Sequence, residues 1–304
     1  MNRFLIIPHV KIHNANALSS PYTIGFPAMT AWLGGAHALQ RKLCAGQFNG
    51  LAFTRAAVAC HSIDLQTYKG RGDYVHSIVG TGNPLDKNGE RPSFIEEARC
   101  HLSVSLVLEY EGVDQDDADA FLAAVETQLS TLKLAGGDIL EFKKPELLKV
   151  NGADDLAKLT RKLMPSHVLK ERRDLMIEAM QNQGGDIDAV TALLDYLTVR
   201  HRSESGEDGQ TEWTAKRKKN ERKKTGWIVP IATGFHGISA LGSAENQRDP
   251  DTPHRFAESL VTLGEFVMPY RIKRLDELLW HSHYDAENHF YLIQQHSKEK
   301  YHGK

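Results

Sequence analysis

Apolar and polar residues alternate along the first half of the chain in a way that predicts four strands. The clearest strand is predicted at residues 101–110, where every second side chain is apolar: Leu102, Val104, Leu106 and Leu108. Residues 4–12 and residues 51–65 are apolar runs of strand length, and residues 139–142 predict a short fourth strand. These four segments supply enough apolar positions to form a sheet with a buried face.

Two segments between the strands have the spacing of amphipathic helices. Residues 27–43 place Pro27 in the first turn, where a missing N–H costs nothing, and have an apolar face made of Met29, Leu33, Ala36 and Leu43. Residues 114–134 begin at Asp114, the predicted N-cap, and have an apolar stripe made of Ala118, Phe121, Leu122, Val125, Leu129 and Leu132. The order strand, helix, strand, strand, helix, strand predicts an α+β fold with a ferredoxin-like or RNA-recognition-like split βαβ core over residues 1–150.

The second half is less regular. Helices are predicted at residues 154–163, 169–180 and 186–197, followed by a long polar loop at residues 200–226. We therefore expect a helical insertion with a basic loop over residues 151–225. Residues 227–239 predict strand, turn and strand, and residues 254–272 predict a helix in their first part, so that residues 226–304 complete the core.

Composition limits the possible classes of protein. Of 304 residues, 41% are hydrophobic, and 37 Lys and Arg nearly balance 39 Asp and Glu, so net charge gives no argument for nucleic acid. Three widely spaced cysteines without a CxxC pair argue against a zinc ribbon and agree with a reducing cytosol. Without a signal peptide or an apolar run of about 18 residues, the sequence indicates a soluble, cytoplasmic protein with no membrane span, and we expect no cofactor.

The segment after the first predicted strand, HVKIHNANALSSPYTIGFP, is rich in hydrogen-bonding side chains. We interpret it as a loop where a strand leaves the sheet, with candidate RNA-binding residues His13, Asn14, Asn16, Ser19 and Ser20. Asn and Ser side chains bind base edges and sugars, but they also bind their own backbone in turns. A loop that satisfies its own hydrogen bonds is therefore the alternative.

A run of positive charge, KRKKNERKK, lies inside the predicted polar loop. Its candidate phosphate-binding residues are Lys216, Arg217, Lys218, Lys219, Arg222, Lys223 and Lys224. In a nearly neutral protein, positive charge concentrated at one place predicts contact with a DNA or RNA backbone. A solvated loop without a partner is the alternative.

Two glycine-containing segments are further candidates for RNA binding. Gly136 and Gly137 follow the second predicted helix, where they either cap that helix or lie flat against a phosphate backbone. Arg71 lies in YKGRGDY, a segment that combines positive charge with two aromatic rings, as single-stranded nucleic acid requires. A flexible hairpin tip is the alternative for this second segment.

Histidines give only weak signals for chemistry. In GFHGIS, Phe235 and His236 are candidates for RNA contact, and His236 is also a possible general base. His281, His283 and His289 contain an HxH spacing that can bind a metal ion, but no second ligand cluster matches it, so we predict neither a metal nor a catalytic site. The chain contains no P-loop, GxGxxG, GxSxG or RNP octamer.

Three segments together resemble a known family. NANALSSPYTIGFPAMTAWLGGAHALQR, GWIVPIATGFHGIS and ESLVTLGEFVMPYRI are similar to the family of the second Csy subunit in the type I-F CRISPR surveillance complex. The resemblance extends from the first predicted strand to about residue 272. It implies an RNA-recognition-like fold of the repeat-associated type, with an inserted subdomain.

The resemblance also implies a function and partners. A member of this family is a non-catalytic subunit that holds the five-prime handle of the CRISPR guide RNA, pairs with the large Csy subunit and adjoins the first backbone Csy subunit. Asn14, Asn16, Ser19 and Ser20 would then contact the handle. Target double-stranded DNA would be met indirectly or through the basic run. The family's glycine-rich loop is represented here only by Gly136 and Gly137.

Two other functions remain open from the sequence. The chain could be a metal-independent RNA-processing endonuclease of the same superfamily, with His13, His37 or His236 as general base. It could instead be a scaffold that binds only protein.

Overall fold

A computed structural model of the 304-residue chain describes residues 2–79, 85–91, 97–182, 187–205, 211–218, 225–245, 247 and 249–295. Within these ranges the protein is α+β, as the sequence predicted, with five α-helices and one large antiparallel sheet. The helices are α1 (Met29–Cys44), α2 (Ala118–Leu129), α3 (Ala153–Lys162), α4 (Arg173–Asn182) and α5 (Ala189–Leu197). None of the helices in the described part of the chain is long and apolar enough to span a membrane.

The strands are numbered in chain order. They are β1 (Asn2–Asn16), β2 (Leu18–Ser20), β3 (Thr23–Ile24), β4 (Ala52–Leu65), β5 (Thr67–Tyr68), β6 (Ser77–Ile78), β7 (Arg99–Glu111), β8 (Lys133–Leu134), β9 (Gly137–Glu141), β10 (Glu146–Val150), β11 (His167–Glu171), β12 (Val199–Ser205), β13 (Thr211–Arg217), β14 (Trp227–Gly237), β15 (Ala257–Val267), β16 (His281–Asp285) and β17 (Phe290–Gln294). Eleven of them form the large sheet, in the order β16-β17-β14-β15-β11-β4-β7-β1-β9-β8, with β10 also paired to β1. An isolated antiparallel bridge between Ala56 and Trp280 joins β4 to the residue before β16, so the sheet curls back towards itself.

The first half of the chain forms the elements that the sequence predicted. β4, β7, β1 and β9 are neighbours in that order, and α1 and α2 cover one face of them. The core on this face includes alternate residues of β7 and the apolar stripes of both helices, which is the burial that the periodicity indicated. α2 begins at Ala118 rather than near Asp114, and the predicted Asp114 cap is therefore wrong.

Two smaller apolar clusters lie outside this main core. Leu156 and Leu159 of α3 pack against Phe4 and Ile6 of β1, on the sheet face opposite α1. α4 and α5 pack against β14 and β15 in a third cluster. Because α3 covers only part of its face, polar residues of β1, β4 and β7 stay accessible beyond it.

The second half departs from the predictions in four places. The helix predicted at residues 169–180 is β11 followed by α4, and the helix predicted within residues 254–272 is β15. Residues 227–239 contain one bulged strand, β14, rather than two strands, and part of the polar loop at residues 200–226 is the hairpin β12–β13.

The reason for the error at β15 is burial on both faces. Leu263 belongs to the α4–α5 cluster, whereas Phe266 belongs to the main core. A strand with two buried faces loses the apolar–polar alternation that marks a half-buried strand. Gly264 also allows close packing here, since a Cβ atom on it would lie 2.9 Å from Leu169.

A buried ionic and polar network connects β11, α4, β15 and the end of β17. Arg172 is only 6% exposed and forms ion pairs with Glu265 and Asp174. Burial opposes its charge, but the bonds and charges of Asp174 and Glu265 raise the pKa of the guanidinium. Gln295 is 3% exposed; its Oε1 accepts the Glu171 N–H at 2.7 Å and its Nε2 donates to Leu169 O at 3.1 Å. The network thus fixes the last described residue to the sheet.

Candidate nucleic-acid interface

Strand β1 contains two bulges that the sequence analysis missed. Ile7 and Val10 pair with residues of β7 that are two apart, and Ile12 and Ala15 do the same further along. Each bulge inserts one extra residue, so both flanking apolar side chains stay in the core. His9 and Asn14 are the last residues of the two insertions and have positive φ of 48° and 55°. Asn and His tolerate this conformation better than most side chains.

Both bulges use the same device to satisfy the backbone. The N–H of His9 donates to Ser105 Oγ at 3.1 Å, and the N–H of Asn14 donates to His101 Nδ1 at 3.3 Å. A β7 side chain thus replaces the ladder bond that the bulge removes. An imidazole pair also stacks at each bulge: His9 on His61, with ring centroids 4.1 Å apart, and His13 on His101, at 4.5 Å.

The second bulge builds a cluster of accessible polar side chains, here called the bulge site: His13, Asn14, Asn16, Gln66 and His101. Gln66 Nε2 lies 2.6 Å from Asn14 Oδ1 and 3.2 Å from His101 Nε2. Asn16 Oδ1 accepts the Leu18 N–H at 3.0 Å, which leaves the NH₂ group of its amide directed elsewhere. The predicted loop at His13, Asn14 and Asn16 is therefore the bulged end of a strand, with side chains preorganised by their neighbours.

The glycine pair lies against this site. Gly136 and Gly137 are not the cap of α2, which ends at Leu129, and instead form the turn from β8 into β9. A Cβ atom on Gly137 would lie 2.6 Å from His13 O and 2.8 Å from Ala15 N, whereas one on Gly136 would come no closer than 3.8 Å, to Asn16 Cβ. Gly137 is thus required by the close approach of β9 to the bulge, and Gly136 by its φ of +77°.

We expect the two glycines to respond differently to alanine. Gly137→Ala should lower the free energy of unfolding by about 3 kcal/mol, because the methyl group meets backbone atoms that cannot move independently. Gly136→Ala should cost only about 1 kcal/mol, the strain of a side chain at positive φ. Urea-induced unfolding of both variants measures the difference. Equal losses would show that β9 can shift away from β1 to accept a methyl group, and that the close approach does not require glycine at position 137.

The lysines near the bulge site are mostly neutralised. Lys11 Nζ lies 2.7 Å from Glu141 Oε2, and Lys133 Nζ lies 2.5 Å from Asp138 Oδ1. These hydrogen bonds, reinforced by the lysine charges, hold the pKa of both carboxyls below their usual values. At the first bulge, burial and then the charges of His61 and Lys143 lower the pKa of His9. This face therefore offers hydrogen bonds and imidazole rings more than net positive charge.

The hairpin β5–β6 leaves the sheet one residue after Gln66 and carries Arg71 at its exposed tip. Tyr74 is 97% exposed and Tyr68 is 64% exposed, while the Gly70 N–H donates to Asp73 Oδ2 at 2.7 Å and closes the turn. The structure thus connects this hairpin directly to the bulge site, which the sequence analysis treated as separate.

Ser19 and Ser20 are directed elsewhere. They lie in the small hairpin β2–β3, where their hydroxyl oxygens are 2.9 Å and 2.7 Å from Thr23 Oγ1. Ser20 is also buried. Of the residues in the opening segment, the two serines bond within their own hairpin, whereas His13, Asn14 and Asn16 are exposed and Asn14 and Asn16 use only their amide oxygens in the internal hydrogen bonds given above.

Phe235 and His236 lie at the end of β14, with β15, β11, β4 and β7 between them and β1. The His236 ring packs against Phe290 at a tilt of 33°, with ring centroids 4.6 Å apart, and its Nδ1 is 3.7 Å from Glu258 Oε1. The structure therefore does not bring these two residues to the bulge site.

The basic run begins on the free-standing hairpin β12–β13. Lys216 and Arg217 are exposed on β13, and neither contacts a carboxylate in the part of the chain that the structure describes. Lys218 pairs with Asp195, and its Nζ lies 4.7 Å from the centroid of the Tyr196 ring. Four of the predicted phosphate-binding residues lie outside the described residues: Lys219, Arg222, Lys223 and Lys224.

Some cations of the hairpin face the same way. In the strand register, Arg200 of β12 lies opposite Lys216 of β13, and Arg202 lies opposite Thr214. These four side chains therefore share one face of the hairpin. Trp213, on the other face, is 70% exposed. The hairpin was missed because its strands contain few apolar residues, and a strand pair exposed on both faces has no hydrophobic pattern to detect.

The histidine arrangements offer little for metal or acid–base chemistry. His281 and His283 are two residues apart on β16, and His289 lies in the turn before β17. Across the described ranges, no three His, Cys, Asp or Glu side chains are grouped so that they could hold a metal ion. His37 is exposed on α1, and His13 stacks on His101 and lies opposite Asp138 of β9, whose carboxylate is hydrogen-bonded to Lys133.

Comparison with known proteins places the chain among CRISPR-associated proteins. A family model described as CRISPR-associated protein (Cas_Csy2) matches residues 5–293. The CRISPR-associated protein Csy2 of Pseudomonas aeruginosa (strain UCBPP-PA14) is 33% identical over 307 residues, covering 94% of this chain and 93% of that protein. The chain therefore belongs to the Csy2 family of type I-F CRISPR systems, and the resemblance identified from the sequence is confirmed.

Proposed function

We propose that this chain is a non-catalytic subunit of the CRISPR RNA-guided surveillance complex and that its bulge site holds the five-prime handle of the guide RNA. Family membership supports the role in the complex. The bulge site supports the RNA contact, because it presents three side-chain amides and a stacked imidazole pair at the accessible end of a sheet. Such groups bind base edges and stack on unpaired bases.

The topology supports the same proposal. β4, β7, β1 and β9 are neighbouring antiparallel strands with α1 and α2 on one face, which agrees with the ferredoxin-like core that we propose, a fold in which the sheet face opposite the helices can bind RNA. The bulge site lies beyond α3 at the edge of that face. We include the Arg71 hairpin, which begins beside Gln66, as a flexible clamp on the same strand of RNA.

Other surfaces would then serve the partners. The large Csy subunit and the first backbone Csy subunit would contact protein surfaces of this chain, and the basic hairpin would approach target double-stranded DNA or the guide backbone. Phosphate contacts of this kind position a nucleic acid, whereas sequence is read by base pairing with the guide.

The observation that carries the proposal is the bond of Gln66 to Asn14, because it holds two amides rigidly at the surface. Asn14→Gly should weaken binding of a handle oligoribonucleotide about tenfold, since it removes the amide while keeping the positive φ. Asn16→Ala should act in the same direction. The assay is fluorescence anisotropy with the purified full chain, and the exposed residue Asn151, changed to alanine, is the matched control.

A purification experiment tests the role in the complex. The tagged chain is co-expressed with its neighbouring genes and a CRISPR array, and bound RNA is extracted. A stoichiometric assembly with one short RNA of uniform five-prime end supports the proposal. Recovery of the chain alone without RNA contradicts it, and cleavage of repeat RNA that depends on His13, His37 or His236 would favour the endonuclease instead.

A further inference from the structure

Three exposed aromatic residues form a row across adjacent strands near the end of the sheet opposite β8. Tyr284 of β16 pairs directly with Tyr291 of β17, which pairs directly with Phe235 of β14. Side chains of directly paired residues lie on the same side of a sheet. Their exposed fractions are 64%, 37% and 42%, so the row, here called the aromatic row, is accessible and is not core.

An arginine side chain lies beside this row, packed against a glycine. Gly237 is two residues after Phe235 and therefore on the same side of β14. A Cβ atom on Gly237 would lie 2.4 Å from Arg255 Cδ, so the arginine side chain lies across bare backbone. Its Nε is buried without a hydrogen-bond partner, and its guanidinium pairs with no carboxylate among the residues that the structure describes.

The neighbouring carboxylates are on the opposite face. In the strand register, Glu258 of β15 lies opposite His236 of β14. His236 lies opposite Phe290 of β17, and Phe290 lies opposite Asp285 of β16. This second row alternates with the first, so Glu258 and Asp285 point away from the aromatic row. On β15, the residue directly opposite Phe235 is Ser259. One face thus carries rings, a hydroxyl and an unpaired cation, and the other face carries the acids.

We propose that the aromatic row and Arg255 form a second site for single-stranded RNA, in which bases stack on Phe235 and Tyr291 and Arg255 binds a phosphate. Neighbouring strands are about 4.8 Å apart, which lets successive rings meet successive bases. An aromatic face on which the described residues place no acid, beside a guanidinium that pairs with none of the described carboxylates, suits an anionic ligand with π-faces. The inference rests on the proposed function, because the RNA in question is the guide.

The site is distinct from the bulge site. Four strands of the sheet separate β14 from β1. The bulge site offers amides for base edges, whereas the aromatic row offers stacking without base selectivity. An RNA held at both places would be fixed at one point by hydrogen bonds and at another by stacking.

The test uses the purified full chain and a short single-stranded oligoribonucleotide that contains a fluorescent adenine analogue. The double variant Phe235→Leu with Tyr291→Leu keeps apolar volume but removes both rings. It should weaken binding at least tenfold and abolish quenching of the analogue. Tyr270→Leu, at an aromatic residue that is 54% exposed and follows β15 outside both proposed sites, is the control and should change neither.

The phosphate contact proposed for Arg255 is tested with one variant that removes the positive charge and one that keeps it. Arg255→Gln should reduce the slope of log affinity against log salt by about 0.7, and Arg255→Lys should largely restore it. Unchanged affinity and quenching in the row variants, together with a loss in Asn14→Gly, would overturn the aromatic row and leave the proposed function intact. Failure of the unaltered chain to bind RNA would overturn both. Row variants that keep RNA but lose a protein subunit on co-purification would assign the row to a protein interface and so overturn the proposal.

Discussion

Replacing Arg172 with alanine should lower the free energy of unfolding by about 3–5 kcal/mol, a large part of the 5–15 kcal/mol typical of a folded domain. The reason is the carboxylate that is left behind. Glu265 is only 4% exposed and is bound by Arg172 and by the Gly226 N–H. Without the guanidinium it must either keep an uncompensated charge in the sheet or take up a proton, and both outcomes destabilise the fold.

The measurement is urea-induced unfolding of the purified chain, with the midpoint and slope compared between variants. Arg200→Ala is the control, because Arg200 is likewise an ion-paired arginine, 2.5 Å from Asp195, but its side chain is 58% exposed. Exposed ion pairs contribute about 1 kcal/mol or less. A loss at Arg172 no larger than the loss at Arg200 would contradict the importance of the buried network.

A double variant separates the charge from the contacts. Arg172→Met with Glu265→Gln removes both charges and keeps an acceptor for Gly226. It should recover most of the lost stability, since replacing a whole buried ion pair is often neutral. If it is as unstable as Arg172→Ala, the guanidinium must act mainly through its packing.

The strands in the first half of the fold have sequence patterns that predict a strand directly: β7 alternates over most of its length, and β1 is a continuous apolar run of strand length with residues buried on both faces. The even-numbered residues of β7 from Cys100 to Tyr110 face α1 and α2, and Val107 is the one odd-numbered apolar residue of β7 that is buried on the other face. β15 was predicted as a helix because both of its faces are buried, and the pattern then reflects tertiary packing that the local sequence does not contain. The exposed hairpin β12–β13 fails for the opposite reason, since it buries neither face.

The bulge site was half predictable for a related reason. Asn14 and Asn16 stand out by residue type, but Gln66 is 52 positions away from Asn14 and His101 is 87 away. Their contact depends on how β1 and β4 are each aligned with β7, the strand between them, and a single sequence does not reveal this register. A signal did exist: Ile7, Val10, Ile12 and Ala15 all face the core at spacings of three, two and three, which a regular strand does not allow.

Reversing two charges on the basic hairpin should have the largest effect on nucleic-acid binding. The double variant Lys216→Glu with Arg217→Glu should weaken binding of duplex DNA about a hundredfold at moderate salt and reduce the slope of log affinity against log salt by about 1.8. Both side chains are exposed and unpaired within the described residues, so their charge is available to phosphate. Lys218 is left unaltered because its pair with Asp195 ties the hairpin to α5.

The slope is the decisive measurement, because a misfolded hairpin and a lost phosphate contact both reduce affinity. Titrations across a range of salt concentrations, with duplex DNA and with single-stranded RNA, count the contacts on each ligand. The control is Lys87→Glu with Arg161→Glu, which makes the same change in net charge at exposed positions elsewhere. If the control lowers the slope equally, the effect comes from the field of the whole protein, and if neither variant changes it, the basic run is a solvated hairpin. A loss confined to duplex DNA would mean that the hairpin meets the target, whereas a loss confined to RNA would place it on the guide.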